Sequence, residues 1–453
     1  MNLMTNKTLA VLIALSFGVM LFSVQVTGEE SVYTVMSYEM WFHKNWLSPT
    51  LYGEPYHRPP MINWLVIGLS SIAGWEYSLA AVRLVSAVST LTSGWLIYWF
   101  VKRCWGEQDF AWLSALLYLT AWQVLGGYGW KGYSDALFGA FVQASMLFAY
   151  LSLRERSYRW MLLAIVLAYF GFLTKAITAY VFIGVAILVS AAYLKAWEFL
   201  FRRKTILVGL AAPALMAVWF VVSPTGDKMA SGMTGDVIER ALVFDLVSVT
   251  KHLGVFAAET TLNMMPLTVL LVLVIKSDRR KLLVQEFLPF GVIALLNILP
   301  YWLAPMGHAR YLMPVYGFVA IYIAGVIRDN ERLCRIAGRL IVILVMIKLA
   351  FAAVLFPLYT ANFRPNIADI AGDILHLTQG SKLYSVDYTW IGISVSDEIN
   401  KRRFPLPPAT STYSESDSGF VYSHTRRDDI GPLVKDYQQR LFLHCVGTGC
   451  HKN

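Results

Sequence analysis

Two consecutive carboxylates, Glu29 and Glu30, open the segment GEESVYTVMSYEMWFHKNWLSPTLYGEPYHRPP at residues 28–60, and a His57-Arg58-Pro59-Pro60 turn closes it. A carboxylate can serve as general base toward a hydroxyl. Cations can hold a phosphate and stabilise it as it leaves. Such cations recur further along the chain: Lys131 just before Asp135 in GYGWKGYSDALF, Lys175 in FLTKAI, and Arg310 beside His308 in GHARYLMP. Ionisable groups at membrane depth are costly and mark functional sites. The set suits acid–base chemistry beside a phosphate, with one of the carboxylates as the base.

The elements that must position these groups are membrane helices. Of 453 residues, 57% are hydrophobic and 15% charged. Apolar runs of about 17–25 residues recur, long enough to cross a bilayer as helices and too long and apolar for barrel strands. Spans are expected near 8–27, 79–101, 110–127, 134–152, 160–174, 177–194, 205–223, 253–275, 286–305, 311–327 and 339–357, giving an all-α polytopic membrane protein of about eleven transmembrane helices. Every second connection is basic: Lys102-Arg103, Arg154 to Arg159, Arg202-Arg203-Lys204, Lys276 to Lys281, and Arg328 to Arg339. By the positive-inside rule these face the cytoplasm. The first loop and juxtamembrane helices (28–75), the 224–252 loop and the tail then lie outside, which in a bacterium is the periplasm. The formal charge of +9 is spread over these short clusters and does not point to nucleic acid.

The first span has a second reading, a cleaved signal peptide with Val26 and Gly28 before the cut. Pro59 to Gly74 is apolar but short, and is expected to lie in the outer interface. Residues 1–357 thus form the membrane domain. Residues 358–453 are polar, with amphipathic spacing at Ile367–Leu377 and strand patterns at Lys382–Tyr388 and Arg440–Val446, as expected of a small C-terminal α/β periplasmic domain. Cys445 and Cys450 can pair in an oxidising compartment. Four Cys at unrelated spacings make no metal motif; a divalent metal beside carboxylate and phosphate is compatible with the residues, but no spacing demands one.

Nucleotide-activated substrates are cytosolic, and the cytoplasmic connections, about a dozen residues at most, are too short for a nucleotide-binding domain. An enzyme working at the outer face therefore needs a donor that arrives in the membrane.

The residues resemble the bacterial polyprenyl-phosphate-sugar-dependent glycosyltransferases of the ArnT and protein O-mannosyltransferase type, with the GT-C fold. That family opens its first outer loop with Asp-Glu-x-x-Tyr followed by Glu-Met; here Glu29-Glu30-Ser31-Val32-Tyr33 and Glu39-Met40 occupy the pattern. Its tryptophan, Gly-x-x-Tyr and Lys-Pro-Pro correspond to Trp46, Gly53-Glu54-Pro55-Tyr56 and Arg58-Pro59-Pro60, followed by Asn63-Trp64-Leu65. Arg83, Asp135, Leu173-Thr174-Lys175 and Arg310-Tyr311-Leu312-Met313-Pro314 match later motifs, so the likeness runs in order over roughly residues 8–330. Three positions depart: Glu29 stands where the family has aspartate, His57 replaces an acidic residue, and Ala176 a glycine.

The resemblance implies inverting transfer of a sugar from a polyprenyl-phosphate donor to an envelope lipid (lipid A), another glycan or a protein, on the periplasmic face of the inner membrane. Glu29 would take the acceptor proton, with Glu30 as alternative, and Asp135 would orient a cation or sugar hydroxyl. Arg58, Lys131, Arg310 and Lys175 would contact the donor phosphate. Tyr33, Trp41, Trp46, Tyr56, His57 and Arg83 would shape the sugar or acceptor pocket. Each has a plainer role too: helix N-terminal carboxylates for Glu29, Glu30 and Asp135, interfacial anchors for Arg58, Lys131 and Lys175, belt aromatics for the tryptophans. Two other classes compete. A transporter or flippase for a lipid-linked sugar should show inverted repeats or ionisable groups at the bilayer midplane. A scaffold acting through its tail should lose function when cut after Pro357, whereas an enzyme is expected to keep some.

Overall fold

The computed structural model describes residues 3–22, 29–175, 177–228, 230–232, 235, 246–303, 307–363, 365–413 and 417–447. The cleavage reading at Val26–Gly28, the position Ala176 and Cys450 lie outside them.

In lipid every backbone N–H and C=O must pair within the chain, so apolar runs become helices. They are α1 (Leu3–Phe22), α2 (Glu30–His43), α3 (Met61–Ala73), α4 (Ser78–Trp105), α5 (Gln108–Thr120), α6 (Ser134–Glu155), α7 (Tyr158–Thr174), α8 (Thr178–Tyr193), α9 (Arg203–Val222), α10 (Leu246–Asn263), α11 (Leu267–Ser277), α12 (Leu288–Leu303), α13 (Tyr316–Ile327) and α14 (Glu331–Ala350), continued by α15 (Phe356–Phe363). A helix stands at every expected span. Among the described residues, five helical stretches are long and apolar enough to cross a bilayer: Trp75–Trp105, Ser134–Glu155, Arg203–Val222, Ala309–Ile327 and Glu331–Asn362. Others are shorter, such as Asn6–Phe22 and Thr178–Tyr193.

The expected continuous span at 253–275 is instead broken. Thr250–Asn263 and Leu267–Ser277 meet at 95°. Pro266 has no N–H to continue the ladder, and the Met265 carbonyl accepts from the Trp122 N–H at 2.8 Å. That N–H is itself freed where α5 stops at Thr120. Two broken helices thus satisfy each other's backbone groups. Glu259, on the bent α10, makes no ion pair with Lys251 among the described residues.

The bundle is built around α6, whose inward positions are Ala136, Gly139, Ala140, Ala144, Ser145, Ala149 and Ser152, all buried. Small side chains let neighbouring backbones approach. At Gly171 of α7, an added Cβ would stand 2.8 Å from Val142 Cγ2, so this close crossing needs glycine. At one end of the bundle, Arg103 pairs with Glu155 at 2.9 Å, and Arg328 reaches Glu107 and Glu286, each at 3.2 Å. Along α4 (Ser78–Trp105), Arg103 stands 20 residues, about 30 Å at 1.5 Å per residue, from Arg83 towards the other end, where the first loop sits.

There α2 is buried from Glu30 to Met40, and α3 forms the expected short apolar helix after Pro60. Between them β1 (Thr50–Leu51) pairs antiparallel with β2 (Glu54–Pro55). Its turn residues Tyr52 and Gly53 have φ of 58° and 83°. Glu39 pins this hairpin, accepting from Tyr52 N at 2.6 Å, Thr50 Oγ1 at 2.7 Å and Gly53 N at 3.1 Å. Burial pushes its carboxyl up from 4.5 to about 7, against the pull of those donated bonds. Between those values the folded chain keeps a proton that the unfolded chain releases, so stability falls as pH rises through the window, by on the order of 3 kcal/mol. Hydrogen exchange at the Tyr52 and Gly53 amides is expected to quicken from pH 5 to pH 7.5 beyond the intrinsic pH effect. Glu39→Gln should flatten that dependence; equal slopes in both proteins would rule Glu39 out as its source.

The C-terminal region holds helices and a small sheet. It comprises α16 (Ile367–Thr378), β3 (Leu383–Ser385), α17 (Trp390–Arg403), β4 (Gly419–Ser423), β5 (Leu433–Asp436) and β6 (Phe442–Val446), with sheet order β3-β4-β6-β5. Among the described strands of this sheet, β3 and β4 pair in parallel and the other neighbours antiparallel. The helix α17 and strands β4 and β5 had no counterpart in the expected elements; α17 carries buried Ser and Asp in place of a clear apolar stripe. Cys445 is disulfide-bonded, while Cys104 and Cys334 are free.

Candidate active site

Glu29 stands at the N-cap of α2, where its backbone N–H donates to Tyr133 Oη at 2.8 Å. Its carboxylate is 52% exposed and lies 3.5 Å from Arg310 Nη1. Arg310 itself is mostly buried, framed by the rings of Tyr128, Tyr133 and Tyr311 with centroids 5.4–5.6 Å from its guanidinium carbon. Its Nε is buried without a hydrogen-bond partner among the described residues. The site therefore holds a half-open acid and a caged cation with an unused donor.

One helical turn after Glu29, on the same face of α2, Tyr33 gives Arg58 its place. Tyr33 Oη accepts from Arg58 Nη1 at 2.9 Å and lies 2.8 Å from Ser134 Oγ. The oxygen of Tyr33 holds the Arg58 guanidinium above its ordinary value, so it stays charged. Tyr56 is half-buried next to Arg58; burial pushes its phenol up to about 12. His57 is exposed, its ring tilted by 31° against Tyr56 with centroids 4.7 Å apart. At the start of α6, Asp135 forms a buried ion pair with Lys175, which also lies 4.2 Å over the Tyr311 ring. Arg58, Lys175 and Arg310 thus surround Glu29 and Asp135, three cations to two carboxylates, leaving one positive charge for an incoming anion.

The structure separates other residues that the sequence grouped here. Glu30 is not an alternative base. Both its oxygens are occupied by Arg83 at 2.9 and 2.7 Å, and one also accepts from Gly132 N at 2.8 Å. The two side chains are 0% exposed. For the same reason Arg83 cannot line a sugar pocket; it ties the start of α2 to α4 and to the end of α1, donating to the Met20 and Leu21 carbonyls. Trp41 and Trp46 are also displaced. Trp41 lies roughly 18 Å along α2 from Glu29, packed with Tyr38, Trp75 and Phe404. Trp46 is 44% exposed and its carbonyl accepts from Trp64 Nε1. The Lys131 ammonium lies 5.0 Å over Tyr128, one of the rings around Arg310, and 6.0 Å from Trp130. Lys175 is committed to Asp135, so neither acts alone.

Three features escaped the sequence reading. The tyrosine cage around Arg310 brings Tyr128 and Tyr133 together with Tyr311, far apart in sequence. Glu39 looked like part of a motif rather than a hairpin anchor. Lys348 is fully buried in α14, 4.6 Å over Trp130 and 3.4 Å from Met20 Sδ; a lysine inside an expected apolar span was the available signal. Among the described residues no three His, Cys, Asp or Glu side chains come together as metal ligands.

A family model described as dolichyl-phosphate-mannose-protein mannosyltransferase matches residues 57–223. The undecaprenyl phosphate-alpha-4-amino-4-deoxy-L-arabinose arabinosyl transferase 1 of Pseudomonas fluorescens (strain Pf0-1) is 30% identical over 156 residues, 33% of this chain and 27% of its own length. The corresponding transferase of Erwinia tasmaniensis is 27% identical over 209 residues, 45% of this chain and 36% of its own. These matches span about a quarter to a third of the relatives' length. The crystal structure of ArnT from Cupriavidus metallidurans bound to undecaprenyl phosphate superposes with a TM-score of 0.73 over 98% of both chains at 15% identity, which shows a shared fold. The resemblance to glycosyltransferases of the ArnT and protein O-mannosyltransferase type is thereby borne out.

Proposed function

We propose that this ArnT-like chain is a membrane glycosyltransferase that moves a sugar from a polyprenyl-phosphate donor to a hydroxyl of an envelope lipid, glycan or protein, at the periplasmic face of the bacterial inner membrane. The observation that carries this reading is the half-open Glu29 carboxylate 3.5 Å from a caged Arg310, inside a cluster with one surplus positive charge. The donor class is supported by the relatives, whose names specify undecaprenyl-phosphate-linked aminoarabinose.

In the transfer, the acceptor oxygen attacks the anomeric carbon as the bond from that carbon to the phosphate oxygen breaks. Glu29 takes the acceptor proton. The electron pair leaves with the polyprenyl phosphate, whose new charge faces Arg58 and Arg310. Attack opposite the leaving phosphate inverts the anomeric carbon. Asp135 acts by holding Lys175 in place. Tyr33, Tyr56 and His57 border the space where sugar or acceptor enters. The mechanism uses only the chain's own groups; a divalent metal at Asp135 would have to displace Lys175.

A flippase shares the bent helix pair, but among the described residues no second bent pair repeats it, and the charged cluster gathers at one end of the bundle. The discriminating experiment compares envelope glycolipids and glycoproteins by mass spectrometry in a deletion strain carrying wild type or Glu29→Gln at matched membrane levels. Return of a single-sugar mass with wild type alone supports transfer and reveals the acceptor; equal return with both favours transport. In purified protein, Arg58→Gln is expected to raise the donor KM by roughly tenfold or more, the worth of one charge-assisted hydrogen bond. An unchanged KM would remove Arg58 from the phosphate site.

A further inference from the structure

We propose that the C-terminal domain is part of the device that holds Glu29 in place, with Tyr52 as the positioning residue that latches it. The proposal rests on Glu29 being the base.

The helix α17 runs parallel to α2. Ser31 Oγ donates to Ser394 Oγ at 3.4 Å, and Thr34 lies beside the Asp397 carboxylate. Further along, Tyr38 Oη donates to the Leu406 carbonyl at 2.8 Å. Residues 31, 34 and 38 lie on one face of α2, and Ser31 is two residues from Glu29. Asp397 is itself held by Lys401 at 2.6 Å, both nearly buried. The C-terminal domain therefore supports the turn of α2 that begins at Glu29.

Tyr52 closes the arrangement from the other end of the loop. Its N–H is held by Glu39, near the far end of α2. Its φ of 58° lies in the left-handed region, which favours glycine or asparagine. A tyrosine there needs a compensating role for its side chain, and that side chain is 1% exposed, sunk into the C-terminal domain. Tyr52 Oη lies 2.7 Å from Ser396 Oγ, and Tyr422 Oη lies 2.6 Å from the same oxygen. Ser396 spends its one proton on the Gly392 carbonyl at 2.9 Å, so both tyrosines donate to its two lone pairs. The Tyr52 carbonyl accepts from Ser411 N and Oγ, each at 3.1 Å. One residue of the first loop thus bonds to α17 directly, to β4 through Ser396, and to the segment before β4.

In this network the N–H, the carbonyl and the hydroxyl of Tyr52 each have a partner. Loosening it frees α2 to tilt, and a shift of about 1 Å at a reacting group can cost roughly a hundredfold in rate. The expectation that an enzyme cut after Pro357 keeps activity is therefore reversed: truncation removes α17, and cannot separate enzyme from scaffold.

The test uses the full-length protein with Tyr52→Phe, Tyr52→Ala and Ser396→Ala. It measures kcat, donor KM and hydrogen exchange at residues 30–36 and, as a remote control, 318–327. Tyr52→Phe keeps the ring and is expected to lower kcat by roughly tenfold, and Tyr52→Ala by roughly a hundredfold, with donor KM within about twofold. Exchange should rise at 30–36 and stay constant at 318–327. Tyr52→Phe combined with Ser396→Ala should fall short of the product of the single effects, because both remove the same bond. Unchanged kcat in Tyr52→Ala overturns the proposal, as does a kcat loss with equal loss of protection in both segments. If wild type transfers no sugar at all, the reading of Glu29 fails, and unchanged exchange at 30–36 in Tyr52→Ala then overturns the latch separately.

Discussion

Glu29→Gln is expected to lower kcat by roughly 10²–10⁴-fold, the usual contribution of a positioned general base, while the affinity for polyprenyl phosphate stays near wild type. The amide matches the carboxylate in shape and leaves Arg310 in its tyrosine cage, but it cannot accept the acceptor proton. Loss of the negative charge next to Arg310 frees that cation, so phosphate binding should hold or tighten slightly. Glu29→Asp, which restores the residue type of the resembling family one methylene shorter, is expected to retain a measurable fraction. Single-turnover transfer with purified protein, read alongside lipid-phosphate binding, checks both. A Glu29→Gln protein with wild-type turnover would dismiss Glu29 as the base; equal losses of binding and turnover would make it a binding group.

Breaking the Glu30–Arg83 pair should produce the largest stability effect. Both side chains are fully buried and the carboxylate accepts three hydrogen bonds. Glu30→Gln leaves a guanidinium, and Arg83→Met a carboxylate, buried without its counter-charge, at a cost of about 3–5 kcal/mol. The double variant Glu30→Gln/Arg83→Met has no buried charge left and should recover much of that loss. Denaturant or thermal unfolding in one detergent, run as a double-mutant cycle, measures the coupling. Losses that simply add would show that the two charges do not depend on each other. Because Arg83 also holds the end of α1, the single variants should lose activity even where they fold.

Much of the membrane architecture was legible without coordinates. An apolar run long enough to cross a bilayer can satisfy its backbone only as a helix, so length and composition located a helix at each expected span. The first loop stood out because ionisable and aromatic residues have no reason to crowd there unless they are used, and the ordered motifs from Glu29 to Pro314 carried the resemblance. Local rules failed at breaks. The bend at Met265–Pro266 depends on Trp122, which is distant in sequence, and α17 has no clean apolar stripe because it packs polar Ser and Asp against α2.

By itself, then, the sequence determined the helical membrane fold, the loop that carries the candidate groups and the kinds of group available, since these follow from composition, run length and local order. Only the tertiary structure decided which groups work together. Glu29 and Glu30 are neighbours of one type, yet consecutive residues on a helix point about 100° apart, so one faces an opening and the other a buried arginine 53 positions away. Asp135 and Lys175 neutralise each other, Trp41 is carried to the far end of α2, and a C-terminal helix comes to rest beside the first loop. Each outcome depends on where a remote segment packs, and burial and pairing are properties of that packing rather than of the residue.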